Sequence, residues 1–207
     1  PTYADIKANM YGAGIKFEKL DYRLNPRRGF YILANASVGT KVIKKNPKLN
    51  PVVYKNVNLS TTQYNGDIEA NLFLPIAKLS TIKIGNKSGF VHGQNIFQNE
   101  LFRIGGLKTL RGFNEEAIFA SAYSIFTLEY RLLLERNSYL FVFGDGAYYE
   151  NMSTTAHIHD MPYGFGGGVS FETKAGIFSI SYALGKQFNN PILLRDGKIH
   201  FGIVNYF

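Results

Sequence analysis

The chain lacks cysteine and tryptophan, and it contains only 7 prolines in 207 residues. Without cysteine, it has no disulfide framework, no thiolate metal site and no cysteine nucleophile. Charged residues make up 18% of the chain, below the ~25% of an ordinary soluble domain. No run approaches the ~20 apolar residues that a transmembrane helix needs. These absences argue against a disulfide-rich scaffold and against a helical membrane protein.

Aromatic residues are abundant, at 15% of the chain, and all of them are Phe or Tyr. Many lie in segments where apolar and polar residues alternate, which is the period of a β-strand with two unlike faces. The two clearest apolar faces are Phe126, Leu128, Tyr130, Leu132 and Leu134, and Phe178, Ile180, Tyr182 and Leu184. We expect these faces to point towards lipid, because strands of membrane barrels alternate in this way.

The alternation predicts nine strands, most of them long enough to cross a bilayer at a tilt. They are residues 6–22, 29–44, 59–74, 79–94, 118–135, 138–150, 162–173, 176–187 and 198–207. Tight turns alternate with long polar connections, which are predicted at 45–58, 95–117, 151–161 and 188–197. The predicted fold is therefore all-β, a transmembrane antiparallel β-barrel.

The predicted number of strands is odd, whereas single-chain bacterial barrels close with an even number. We therefore expect residues 1–207 to be the C-terminal part of one outer-membrane barrel domain. The remaining strands, and any periplasmic domains, are expected upstream of this sequence.

The long connection 95–117 contains the most informative motif, Gly105-Gly106 followed by Leu110-Arg111-Gly112-Phe113. Further elements accompany it in a fixed order: Asn25–Gly29 before it, then Leu128–Arg131, Phe141–Gly146 and Tyr163–Gly168 after it. Together they resemble the C-terminal barrel of the BamA/TamA superfamily of outer-membrane insertases and transporters. The resemblance covers nearly the whole chain and depends on the order of the elements.

The resemblance implies that this long connection folds back into the barrel lumen. There Arg111 is expected to pair with Glu129 and Asp145, with Phe143 as a further partner. Strand parity independently places Glu129 on a polar face, whereas Asp145 shares a face with Phe143, so its lumen position depends on the resemblance. The alternative is an exposed Arg111 and two solvated carboxylates.

The last predicted strand carries Phe201, Ile203, Tyr206 and Phe207. A terminal aromatic on an alternating strand resembles the signal that outer-membrane assembly machinery reads, and the strand would form one side of the barrel seam. Asn205 departs from the apolar residue usual two positions before the end. The alternative is a strand that merely ends in Phe.

The net charge is +8, and the densest basic cluster contains Lys41, Lys44, Lys45, Lys48 and Lys55. We interpret it as a solvated loop, with contact to a phosphate-bearing glycolipid as the alternative. Because the aromatics lie on strands and not among the lysines, a nucleic-acid partner is not expected.

No catalytic constellation is evident, and no enzyme activity, metal or cofactor is predicted. His157 and His159 lack a third converging ligand. The glycines from Gly164 to Gly168 lie in a strand and not before a helix, so they do not form a phosphate loop. They are predicted to allow barrel curvature or close packing of a loop in the lumen.

The resemblance implies a protein of the bacterial outer membrane that inserts β-barrel proteins or moves proteins across that membrane. Its expected partners are outer-membrane lipid and lipopolysaccharide, client β-barrel or secreted proteins, and accessory lipoproteins or periplasmic factors. The alternatives are a transporter of the two-partner secretion type, a pore, and a barrel that anchors an upstream domain.

Overall fold

The computed structural model describes residues 4–45 and 57–205. Within them, twelve strands and two short 3₁₀ helices, Gln98–Glu100 and Leu194–Asp196, form the secondary structure. The strands are β1 Asp5–Leu20, β2 Gly29–Lys44, β3 Ser60–Ala77, β4 Ser80–Gly93, β5 Phe102–Ile104, β6 Ile118–Ala120, β7 Ala122–Leu133, β8 Tyr139–Ser153, β9 Ala156–Asp160, β10 Tyr163–Thr173, β11 Gly176–Lys186 and β12 Lys198–Val204. The predicted all-β fold is confirmed.

Ten strands form one antiparallel sheet, and nine of them follow the order β1-β2-β3-β4-β7-β8-β10-β11-β12 and correspond to the nine predicted strands. β9 pairs with the end of β8, and β5 pairs with β6 in a separate ribbon. In the described part of the chain the sheet is open, with β1 and β12 at its edges. Short turns join the strands at one end of the sheet, and long connections join them at the other.

The two faces of the sheet differ as the alternation predicts. On β7, Phe126 and Leu128 are 62% and 58% exposed, whereas Ile125 on the opposite face is 2% exposed. On β11, Ile180 and Tyr182 are exposed and Ser181 is buried, while Phe178, Leu184 and Ser179 are all intermediate. We call the apolar, exposed side the outer face and the opposite side the inner face. No helix in the described part of the chain is long and apolar enough to cross a membrane.

The structure differs from the prediction at one connection and in one strand. The predicted loop 151–161 forms a hairpin, because β8 continues to Ser153 and β9 folds back on it with Ser153 opposite Ala156. The predicted strand 118–135 is interrupted at Ser121, whose backbone N–H donates to Glu150 O at 2.7 Å. Neither polar composition nor periodicity reveals such backbone pairing.

The interpretation of the lysine cluster as solvated is wrong for Lys41. This residue lies in β2, and its side chain is 0% exposed with Nζ 3.1 Å from Glu100 Oε1. Nζ also donates to Asn95 O at 3.1 Å, so the ammonium is paired as buried charges generally are. Lys48 and Lys55 lie outside the described residues.

The turn between β1 and β2 is organised by Asp21. Its Oδ1 accepts hydrogen bonds from the backbone N–H groups of Tyr22, Arg27 and Arg28 at 2.9–3.1 Å. Partial burial alone would raise the pKa of Asp21, but these N–H donors outweigh it and hold the pKa below its ordinary value of 3.8. A carboxylate with a lowered pKa stabilises the folded turn above its unfolded pKa, and this contribution is lost as pH falls through the folded value.

We therefore expect hydrogen exchange in residues 22–28 to accelerate, after correction for intrinsic rates, as pH is lowered from 5 to 2. Asp21→Asn keeps an acceptor oxygen but does not titrate, so its exchange should be independent of pH over this range. Equal pH profiles for the wild type and Asp21→Asn would contradict this account of the turn.

Candidate functional site

The segment 105–117 forms a structured loop on the inner face of the sheet. Two glycines with positive φ, Gly105 and Gly106, begin it, and Gly106 N–H donates to Leu110 O at 3.0 Å. The Thr109 hydroxyl bonds the backbone of Gly105 as both donor and acceptor. These local bonds give the loop a defined shape before it contacts the sheet.

Leu110 anchors the loop through apolar packing. Its side chain is 0% exposed and belongs to a buried cluster on the inner face. The other buried members are Ile104, Ile118, Ala120, Tyr123, Ile125, Ala147 and Tyr149. Burial of a leucine of this kind contributes about 1.5–3 kcal/mol, so the loop is held by packing as well as by charge.

Arg111 contacts both acids that the resemblance implied. Its Nε and Nη2 donate to Asp145 Oδ2 and Oδ1 at 2.7 and 2.8 Å, which is a forked, two-point contact. Its Nη1 donates to Glu129 Oε2 at 2.5 Å. Arg111, Glu129 and Asp145 are 8%, 5% and 2% exposed, so the alternative of solvated groups does not describe this structure.

Phe143 completes the surroundings of the guanidinium. The Arg111 Cζ lies 3.4 Å from the centroid of the Phe143 ring, within the range of a cation–π contact. Phe141 and Phe143 both face inwards beside Asp145, while Leu140 and Val142 on the same strand face outwards. β8 is thus apolar on both faces, which explains why parity alone did not locate Asp145.

A second arginine, Arg131, extends the cluster towards the short turns. Its Nε donates to Glu129 Oε1 at 2.8 Å, and its Nη1 donates to Asn25 Oδ1 at 3.1 Å. Asn25 lies in the β1–β2 turn and also donates to Arg136 O at 3.0 Å. No role for Arg131 is predicted from the sequence, although it shares the inner face with Glu129 two residues away. A continuous polar chain therefore joins this turn to Arg111.

The backbone of the motif also binds the sheet. Arg111 N–H donates to Asp145 Oδ2 at 3.2 Å, and Gly112 N–H donates to His200 Nε2 at 3.0 Å. His200 belongs to β12, so the loop reaches from β7 to the last strand of the sheet. His200 is buried on the inner face of β12, and no motif in the sequence indicates that it accepts a hydrogen bond from the loop.

Strand glycines make this close approach possible. A Cβ on Gly164 of β10 would overlap Arg111 O, and one on Gly185 of β11 would lie 2.6 Å from Gly112 O. Gly112 itself has φ +95°, and an added Cβ would lie 2.6 Å from Leu184 O. Gly164 and Gly185 are opposite each other in the β10–β11 register, so they form one platform for the motif backbone.

The predicted seam residues are placed only in part. Phe201 and Ile203 project from the outer face of β12 and are 60% and 53% exposed. Tyr206 and Phe207 lie outside the described residues. β12 pairs with β11, and no other described strand pairs with it.

The sequence model of the Omp85 superfamily domain matches residues 7–207. A comparison with curated proteins gave no match. The superfamily match supports a general role in inserting proteins into the bacterial outer membrane or moving them across it. Together with the ordered motifs and the open antiparallel sheet, it confirms the resemblance seen in the sequence: the chain belongs to the Omp85 superfamily.

Proposed function

We propose that this chain is the membrane part of a BamA/TamA-like factor that inserts client β-barrel proteins into the outer membrane. The observation that carries the proposal is the contact of the Arg111 loop with both the inner wall and β12. Through Asp145 and His200, one backbone segment connects the middle of the sheet to its edge strand.

An edge strand with unpaired N–H and C=O groups is a template for another strand. A client strand that adds to β12 would gain main-chain hydrogen bonds by β-augmentation. The loop would hold β12 in a fixed position during this pairing, because His200 is bonded to the loop from the inner face. The lipid-facing side chains Phe201 and Ile203 would continue the apolar surface onto the client.

Site-specific cross-linking tests this proposal in cells that produce the intact protein. A photoreactive residue at Ile203 on β12 should capture unfolded β-barrel clients. The matched control is Ile84, an outer-face residue of β4 that is 43% exposed but lies between β3 and β7. Client adducts at Ile203 and not at Ile84 support insertion at the edge of β12. Equal capture at both positions, or none at Ile203, contradicts it.

Transport of a secreted protein is a second candidate, favoured by the inner face of the strands that the loop does not cover. On β2 and β3 this face carries hydrogen-bonded polar side chains, with Asn35 Nδ2 donating to Asp67 Oδ2 at 2.8 Å and Asn71 Nδ2 donating to Glu69 Oε1 at 3.2 Å. A photoreactive residue at Asn71 should capture a secreted substrate if the chain is a transporter. An insertase acting at β12 should give no such adduct.

A further inference from the structure

The free edge of β12 borders two cavities on the inner face of the sheet. One has a volume of about 650 Å³ and lies towards the short turns, beside Val204. The other has a volume of about 400 Å³ and lies towards the long connections, beside His200. Both cavities also contact the outward-facing Phe201, so they open at the edge of the strand. We call them the lower and the upper cavity.

The tip of the Arg111 loop separates the two cavities. Leu107 borders both of them. Gly202 lies between His200 and Val204 on the inner face of β12, and a Cβ added to it would lie 2.5 Å from Leu107 Cδ2. The Leu107 side chain therefore fills the space above Gly202, whereas the space beside its two inward neighbours is open. Along the edge of β12, the inner side is wide, narrow and wide in turn.

The constriction is held in place by the loop itself. The backbone N–H of Leu107 donates to Glu115 Oε2 at 3.1 Å. Gly106 has φ +95°, and a Cβ there would overlap the Glu115 carboxylate, so the tip needs a glycine beside Leu107. The same loop is anchored to the inner wall by Leu110 and Arg111. The position of Leu107 above Gly202 thus belongs to the ordered structure of the loop.

A strand that adds to β12 would meet this profile with its inward side chains. Paired strands lie about 4.8 Å apart, and residues directly opposite each other point to the same face with Cβ atoms about 5 Å apart. Three inward residues of the added strand would lie opposite Val204, Gly202 and His200. The first and the third would project beside the two cavities, whereas the middle one would meet the Leu107 side chain.

We infer that the loop tip selects client strands by the size of their inward side chains, because the residue opposite Gly202 must be small. The preferred strand has glycine, alanine or serine at this position and larger side chains two residues before and two residues after it. The occupant is a strand because the edge of β12 carries unpaired backbone N–H and C=O groups, for which another strand supplies the partners. This inference rests on the proposed function, in which client strands add to β12.

Equilibrium thiol–disulfide exchange with short strand peptides provides the test. The intact protein carries Ile203→Cys as its single cysteine, and each peptide carries a cysteine one residue before the tested position. A disulfide between directly opposite cysteines fixes the register, so the tested residue lies opposite Gly202. A peptide with glycine there should form the mixed disulfide about tenfold more favourably than one with leucine, because leucine would overpack against the loop. Leucine moved two residues earlier lies opposite Val204 and should not weaken pairing.

Leu107→Ala should abolish the preference for glycine, because it removes the side chain that causes the constriction. The matched control is Leu24→Ala, which removes a side chain of the lower cavity that lies more than 4 Å from a Cβ on Gly202. It should keep the tenfold preference. A scrambled peptide with the same cysteine gives the baseline for disulfide formation without strand pairing.

Two results would overturn the inference while leaving strand addition at β12 intact. One is equal pairing of the glycine and leucine peptides with the wild-type loop, and the other is a preference for glycine that persists in Leu107→Ala. If no peptide pairs better than the scrambled one, β12 does not accept a strand, and the proposed function fails together with this inference.

Discussion

Arg111→Ala should release the loop from the inner face and destabilise the protein by about 3–5 kcal/mol, the usual cost of breaking a buried ion pair. The substitution leaves Asp145 buried at 2% exposure without its two-point partner, whereas Glu129 keeps Arg131. Denaturant unfolding in detergent micelles measures the loss, and trypsin cleavage at Lys108 reports release of the loop. We also expect Arg111→Ala to reduce client insertion under conditions in which the sheet is still folded.

The matched control is Arg103→Ala, in a strand that flanks the same loop. Arg103 is 49% exposed in its side chain and lies 3.5 Å from Glu116, so its loss should cost at most about 1 kcal/mol. Arg111→Ala/Asp145→Ala should recover part of the stability, because the unpaired carboxylate is removed with its partner. Equal unfolding of Arg103→Ala and Arg111→Ala would show that the buried pairing contributes nothing.

Gly164→Ala should displace the loop although it changes no charge and no hydrogen-bonding group. The added Cβ would overlap the backbone oxygen of Arg111 and would lie 3.3 Å from that of Leu184. Because both are backbone atoms, the strain cannot be relieved by a side-chain rotation. Overpacking of this kind costs typically about 1–3 kcal/mol. Unfolding experiments and trypsin cleavage at Lys108 should both detect it.

Gly144→Ala provides the control on the neighbouring strand, since nothing lies within 4 Å of its added Cβ. Its effect should stay within about 0.5 kcal/mol, as for most surface substitutions. If Gly164→Ala and Gly144→Ala behave alike, the platform of glycines beneath the motif does not hold the loop.

The fold was predictable from the sequence because a period of two is a local property. Nine strands and the outward positions of Phe126 and Leu128 follow from alternation within each strand. The hairpin of β8 and β9 could not be predicted in this way, because it depends on backbone pairing through residues that are polar enough for a loop. β8 shows a further limit: with apolar residues on both faces, alternation does not identify the inner one.

The site was predictable where the order of several motifs resembles that of a known family, because the resemblance indicates which distant residues meet. The family resemblance implies contacts of Arg111 with Glu129 and Asp145, and the structure contains them. The contact of Arg131 with Asn25 joins residues 106 positions apart, and that of Lys41 with Glu100 joins residues 59 apart. No local pattern specifies such pairs, and nothing in the sequence around Lys41 indicates that this lysine is buried. The role of His200 was equally hidden, because its donor is a backbone N–H of the loop.

The polar chain from Asn25 through Arg131, Glu129 and Arg111 has two ends, and the backbone of the motif continues it to His200 on β12. Where such a chain couples its two ends, thermodynamic linkage requires the coupling to be reciprocal. Suppose that a periplasmic protein bound to the β1–β2 turn increases the equilibrium constant for displacement of β12. Displacement of β12 must then increase the affinity of that protein for the turn by the same factor. Under the proposed function, each round of client insertion at β12 would then be accompanied by docking and release of such a protein at the β1–β2 turn.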